Sequence, residues 1–429
     1  MSTTRSSKRA GTEQGQALVI MVGTMLLAVA MLAVVIDGGN VVTQERATQS
    51  GADSTAESGA IVLATRIAGT AAPAGGWDAE VAAKLAASAT ANRITVSAAY
   101  YTDICGIPLK SDGTAALKVD GTEDLAAATV VGSGALPGGT ATTPDCPSLT
   151  VGPVAGVMVI GTNDVGTFVA RAIGINTMRV TTRATAVAGY LQGSCDASQG
   201  IACQLLPVTI PVNTVTCDGQ NNPVPGTGPW PWNTVLIVPL CKNSPGNVGW
   251  LDWTPPGGGT SELEQAILHP NNPPINLPSW QYVTETGNVN SKQIEDALRT
   301  YDGKVVLIPQ FDMTCRSANN GPNPDSSQPA INTSPYYGCP NLPGGGNGQN
   351  LWYRMPSFAY FELCGPSMAG CTGRHGAYVN GNNTAECSSG NGATSCLVGR
   401  FVDVLGAGTV GSGTGGGTGS KTLGIQLIK

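Results

Sequence analysis

Residues 17 to 36, ALVIMVGTMLLAVAMLAVVI, form twenty consecutive positions without a charged side chain. As a helix rising 1.5 Å per residue this run is about 30 Å long, the thickness of bilayer hydrocarbon. It predicts a membrane anchor that includes Ala17, Leu18, Met25, Leu26, Leu32 and Ile36. Beyond Gly38-Gly39, where the helix is expected to bend, the apolar positions narrow to one face: Ala52, Ala56, Ala60, Leu63 and Ile67 recur every three or four residues. The small residues beside them, Ser50, Gly51, Ser54 and Ser58, let another backbone come close. They are a candidate assembly face toward a neighbouring subunit, with packing inside the chain as the alternative.

Further along, the pattern predicts a helix over 77–92, a strand over 93–100, β-prone runs at 126–132 and 154–161, a short helix over 167–174 and a strand over 177–188. Together these make a small unit that closes near Gly189. From Cys195 onward the apolar runs shorten to strand length between Pro, Gly and Asn clusters, at 205–212, 234–240, 304–311, 352–363 and 396–404. Two helices are signalled among them by capping patterns, Ser261 with Glu264 ahead of 262–268 and Asn290 with Gln293 ahead of 291–299. The tract 406–420 reads as a flexible Gly/Thr/Ser linker, and 423–428 as a last strand that pairs back onto the β domain or onto a partner.

The expected class is therefore α+β: a transmembrane helix continuing into a long helix packed on a small antiparallel sheet, followed by a mostly-β, disulfide-containing domain. The segments are 1–16 (cytoplasmic tail), 17–36 (anchor), 37–189, 190–405 and 406–429.

Charge sets the orientation. Arg5, Lys8 and Arg9 precede the apolar run, while Asp37, Glu45, Asp53 and Glu57 against a lone Arg46 follow it, so the N-terminus is expected in the cytoplasm and the rest outside. Ala28-Val29-Ala30 has the form of a signal-peptidase site, but the run is longer than the 7–15 apolar residues of a signal peptide and continues past it, which favours a retained anchor. Charged residues make up only 12% of the chain, the net charge is −6, and no basic stripe exists, which excludes nucleic acid as a partner.

Eleven of the twelve cysteines follow residue 140, without repeated zinc-type spacing, and predict disulfides in an oxidising compartment. Cys105 and Cys146 flank a loop-rich insert they could staple, and near-neighbour pairing gives Cys195 with Cys203, Cys217 with Cys241, Cys315 with Cys339, Cys364 with Cys371 and Cys387 with Cys396. That is one of about ten thousand possible connectivities.

Chemistry is sparse. His269 and His375 are the only histidines, and neither lies in a zinc-hydrolase motif. Cys371-x-x-x-His375 fits a metal pair or a thiol catalyst, and equally a disulfide cysteine beside a loop histidine. Asp252, Glu285, Glu295, Asp296 and Asp312 are scattered carboxylates of the kind any chain this long carries. Trp230, Trp232, Trp250, Trp253 and Trp280 lie within about fifty residues and read as a β-domain core or as an aromatic binding platform. No catalytic residue, cofactor, metal or small-molecule substrate is expected.

Gly15-Gln16-Ala17-Leu18-Val19, the apolar helix, Asp37-Gly38-Gly39 and the stretch 49–60 resemble the N-terminal region of TadE/TadG-like Flp pilus-assembly proteins. A second block, VGTFVARAIGI at 165–175 followed by MRVTTRATA at 178–186, is similar to that family's short helix and closing strand. The resemblance implies a non-enzymatic, membrane-tethered envelope component of the tight-adherence (Tad) pilus system. It would be an accessory or minor pseudopilin-like subunit whose partners are the membrane and other Tad/Flp assembly proteins. Two features depart from the pattern. The apolar run lacks the glutamate of processed pilins, which argues against prepilin-type cleavage. Asp196-Ala197-Ser198-Gln199-Gly200 lacks the last serine of a von Willebrand A metal site. A surface adhesin or carbohydrate- or protein-binding module on the same anchor is the alternative.

Overall fold

A computed structural model describes residues 13–139, 146, 149, 151–199, 203–217, 223–240, 251, 253, 260–283, 291–316, 351–379, 395–402, 404–407, 409–411 and 422–428. The first helix, α1, runs unbroken from Glu13 to Ile67, about 80 Å at helical rise. It passes straight through Gly38-Gly39, where a bend was expected. A Cβ at either glycine would meet nothing within 4 Å, so no packing contact forces the helix to break there. In its distal half Ala52, Ala56, Ala60 and Leu63 are fully buried and Ile67 nearly so, as the spacing predicts.

Helix α2 (Gly76–Ala91) packs on that half of α1, and two further helices follow, α3 (Thr260–Leu268) and α4 (Lys292–Arg299). The cap of α4 is Ser291, whose hydroxyl accepts the Ile294 N–H at 3.3 Å, one residue later than the predicted pattern; Asn290 lies outside the described residues.

The early strands are β1 (Thr95–Thr102), β2 (Gly156–Gly166), β3 (Thr177–Ser194), β4 (Ile210–Pro211), β5 (Asn213–Cys217), β6 (Pro223–Pro229), β7 (Leu236–Leu240), β8 (Ile275–Asn276) and β9 (Ser279–Val283). The later ones are β10 (Val305–Phe311), β11 (Met313–Arg316), β12 (Leu351–Met355), β13 (Ser357–Leu363), β14 (Ala377–Val379), β15 (Ser395–Val402), β16 (Leu405–Ala407), β17 (Thr409–Gly411) and β18 (Leu423–Ile428).

One sheet has the order β1-β2-β3-β18-β16, with β17 and β8 also on β3; a second has the order β14-β15-β13-β10-β4, with β7 on β15. A three-stranded sheet, β11-β12-β9, and the hairpin β5-β6 complete the set. The mixed α+β character and the mostly-β later region are as expected.

Several elements differ from their sequence patterns. The run at 352–363 splits at Pro356 into β12 and β13, since proline cannot donate to a ladder. The strand over 205–212 shrinks to Ile210–Pro211 plus a bridge from Leu205 to Leu307. Within 126–132 only the Tyr100–Val130 bridge forms. The helix at 167–174 is one 3-10 turn, Ala170–Ile173, closed by Gly174 at φ +90°, a left-handed backbone that glycine adopts without Cβ strain.

The segment expected as linker begins with β16 and β17; residues 412–421 lie outside the described residues. Strand β18 does pair inside its own chain. Its partner is β3 of the first sheet, however, from Leu423 opposite Tyr190 to Ile428 opposite Thr185. β3 itself continues past the expected boundary at 189 and reaches Ser194. A shared core of Leu191, Leu205, Ile275, Leu307, Phe358 and Tyr360 joins the two large sheets.

Among the described residues no helix is long and apolar enough to cross a membrane. The side chains of Leu26, Val29, Ala30, Ala33 and Val34 lie outside those residues, so the uninterrupted apolar run is a property of the sequence.

Candidate functional site

The described geometry converges on the place where α1 leaves its apolar run. Asp37, the first residue after it, is nearly fully buried. Its carboxylate accepts three backbone N–H groups at the start of the 3-10 turn and just before it: Phe168 at 2.7 Å on Oδ1, and Val169 at 3.1 Å and Ala170 at 2.6 Å on Oδ2. One turn on, Asn40 Nδ2 donates to the Gly166 carbonyl at 3.3 Å. The N–H groups of Ala170 first, then Phe168 and Val169, hold the Asp37 carboxyl below the usual aspartate range, against a smaller opposing push from burial. A carboxylate with a lowered pKa keeps its tie at neutral pH and loses it only as pH falls through that lowered value.

The tie belongs to a longer register. Arg66 donates to the carbonyls of Val151 (2.5 Å) and Val154 (3.3 Å). A Cβ at Gly59 would lie 3.1 Å from Val157, and one at Gly161 would lie 3.2 Å from Ala52. As α1 is followed backward from 66 through 59, 52 and 40 to 37, its partners advance from 154 through 157, 161 and 166 to 168. Helix and β2 are therefore antiparallel, and the turn between β2 and β3 is the end of the sheet nearest the apolar run. Phe168 is 72% exposed there and Ile175 43%.

Of the residues expected to form an anchor, Ala17, Leu18, Met25, Leu32 and Ile36 are exposed; the Leu26 side chain lies outside the described residues. The candidate assembly face is divided. Ser50 is exposed and Ser58 half-buried. Gly51 is buried in its own chain, where an added Cβ would lie 2.7 Å from Ile94 Cγ2 and 3.3 Å from Asn92 Cβ. The Ser54 hydroxyl accepts from Asn92 Nδ2 at 3.4 Å. Gly51 is thus a close-approach position for the segment after α2, and the chain itself occupies this part of the face.

No family model, curated protein or solved structure matches the chain.

The disulfides Cys105–Cys146, Cys195–Cys203 and Cys364–Cys371 form as expected. Cys217 and Cys396 are disulfide-bonded as well; the side chains of Cys241, Cys315, Cys339 and Cys387 lie outside the described residues. The Cys364–Cys371 bond removes the thiol-catalyst and metal readings of Cys371 with His375. The His375 ring instead sets Nδ1 3.0 Å from Asp302 Oδ2, while the Gly376 N–H binds the other carboxylate oxygen at 2.9 Å. Asp103 lies close to the sulfurs of Cys105 and Cys146, but those sulfurs are bonded to each other and cannot act as thiolate ligands.

The aromatic cluster is core in part, with Trp232 and Trp253 half-buried. Trp230 and Trp280 are buried, and Trp230 donates its indole N–H to the Pro211 carbonyl at 2.8 Å; Trp250 lies outside the described residues. Glu295 sits in an ion pair with Arg299, and Asp312 pairs with Arg354 at 3.4 Å; Asp252 and Glu285 lie outside the described residues. A cleft of about 240 Å³ between β10, β13 and β16 is lined by Leu206, Val306 and Leu307 among others, with Tyr301 and Tyr360 as its hydroxyl groups and no charged side chain. Burial pushes the Tyr360 hydroxyl up to about 12, which makes it a poor acid or base at neutral pH.

Three polar residues that organise the fold were not singled out from sequence. Asp78 accepts the Tyr101 hydroxyl at 2.6 Å and the N–H groups of Gly132 and Gly134 at 2.8 and 2.6 Å. Asn272 binds the carbonyls of Cys195 and Cys203 and the Leu205 N–H. Asp302 orients His375. Only their partners, far away in sequence, mark them.

Proposed function

We propose that this chain is a non-enzymatic, single-pass envelope protein that serves Tad/Flp pilus assembly as an accessory or minor pseudopilin-like subunit. Residues 17–36 cross the membrane, with the N-terminus in the cytoplasm and the disulfide-bonded region outside. The carrying observation is the division of labour along α1. Between Leu18 and Ile36 eleven large apolar side chains are 42–71% exposed, an apolar surface too long and continuous to be left in water. From Ala52 onward the same helix is buried against α2, β2 and β3. Lipid supplies the missing partner for the first half, so the helix becomes a rod that carries a folded head on a membrane stem.

The disulfides agree with a head outside the cytoplasm. The two sequence blocks that resemble TadE/TadG-like proteins are the ones that meet at Asp37 and along β3. Burial of Trp230 and Trp280 supports the core reading of the aromatic cluster over an adhesin's binding platform, while Trp232 and Trp253 are half-buried.

The test is made in a bacterium that builds such pili. Membrane, sheared-surface and culture fractions are separated, and the N-terminus of the chain is sequenced in each. Residues 1–36 retained in an alkali-resistant membrane fraction, together with loss of pili on deletion, are expected. A chain cut after Ala30 and released to the medium would overturn the anchor, and normal piliation without the protein would overturn the pilus role.

A further inference from the structure

Resting on the reading of residues 17–36 as membrane-embedded, we infer that the turn between β2 and β3 is a second membrane contact, seated among lipid headgroups beside the anchor. Depth follows from covalent and hydrogen-bond geometry. Asp37 stands one residue, 1.5 Å of helical rise, beyond the last apolar position, which places it at the inner edge of a headgroup layer roughly 5 to 7 Å thick. Phe168, Val169 and Ala170 are hydrogen-bonded directly to that carboxylate, so their backbone lies at the same level.

Direction follows from the antiparallel register. Every step from 154 to 168 along β2 moves toward the apolar end of α1, so the turn is the lowest point of the sheet.

Composition fits the position. Phe168 and Ile175 project two large apolar side chains from this turn, and exposed Arg171, the one charged residue of 167–176, stands between them in sequence. Apolar side chains flanked by a cation are what the boundary between acyl chains and phosphates accommodates: the rings and alkyl groups sink and the guanidinium meets phosphate. Nearby basic residues are otherwise engaged, Arg179 with Asp164 at 2.9 Å and Arg183 with Glu123 at 2.5 Å. With the helix as one attachment and the turn as another, the head would be held at a set angle to the bilayer rather than swivelling on its stem. Asp37 is the positioning residue of that arrangement.

The test uses the full chain in phospholipid vesicles. An environment-sensitive fluorescent amino acid is placed at position 168 in one sample and at position 27 in another, since Leu27 is exposed on the anchor helix. Quenchers are attached to the lipid headgroup or deep in the acyl chain. Position 27 quenched by the deep label and position 168 by the headgroup label, with blue-shifted emission at 168, is the expected result. Asp37→Ala should then abolish quenching at 168 and leave it unchanged at 27. Quenching at 27 with none at 168 would overturn the second contact while the anchor stands. Absence of quenching at both positions would overturn the anchor reading and this inference with it. Quenching at 168 that persists in the Asp37→Ala protein would overturn the positioning role.

Discussion

Asp78 shows how much one buried acid can organise. It lies in the first turn of α2 and gathers a tyrosine hydroxyl from β1 and two backbone N–H groups from the loop at 132–134. Burial first, and the hydrogen bond to Asp78 second, push the Tyr101 hydroxyl far above its ordinary range. Asp78→Ala strands the buried Tyr101 hydroxyl and leaves two part-buried N–H groups without their partner, and is expected to cost about 2 kcal/mol. Tyr101→Phe removes one bond and is expected to cost about 1 kcal/mol. Chemical unfolding of both proteins in detergent checks the order; equal losses would show that the loop contacts contribute nothing. Asp37 uses the same chemistry at the other end of the sheet. Both acids were visible as letters, but a carboxylate is capped by whatever the fold brings to it, and Phe168 is 131 residues from Asp37.

At the scale of the helix, glycines in one element have opposite meanings. Gly38 and Gly39 have open space around them, so Gly38→Ala should stabilise α1 by about 0.5 to 1 kcal/mol through helix propensity. Gly51 sits 2.7 Å, measured from an ideal Cβ, from a methyl of Ile94. The same propensity gain at Gly51→Ala is outweighed by overpacking of about 1 to 3 kcal/mol, for a net loss of about 1 kcal/mol. Unfolding of the two alanine variants in detergent should move in opposite directions; a gain at Gly51 would mean that Ile94 simply gives way. A bulky residue at Gly51 therefore reports on the folding of the head, and loss of assembly in such a variant says nothing about a neighbouring subunit. Ser50, exposed on the same stretch, is the position that keeps its value as an assembly probe. The helix itself is legible because its period is local and sustained; the helix expected at 167–174 is only a four-residue turn because a side chain from α1, and not its own sequence, holds it.

For the whole molecule the decisive feature is that the C-terminus closes the first sheet. Strand β18 covers β3 from Thr185 to Tyr190, buries Leu423, and ties back to β13 through the Thr422 hydroxyl, which donates to the Phe358 carbonyl at 2.6 Å. Removing residues 422–429 is expected to bare one edge of β3 and expose part of its core. Amide hydrogen exchange at 185–190 should then accelerate while the β1–β2 ladder stays protected. Unchanged exchange on β3 would mean that β2 alone holds it.

Properties carried by neighbours in sequence were settled by sequence alone: the apolar run, the buried stripe of α1, most of the long strands, and disulfides between cysteines seven or eight residues apart. Each depends on periodicity or on the short reach of the chain, and needs no knowledge of distant residues. Tertiary structure alone decided that the small face of α1 is partly filled from within, that Trp230 and Trp280 are core, that the last strand returns to the first sheet, and that Asp37 holds the β2–β3 turn beside the end of the apolar run. In each case the energy comes from a contact between residues far apart in the chain, where burial and hydrogen bonding choose among many partners that the linear pattern leaves equivalent.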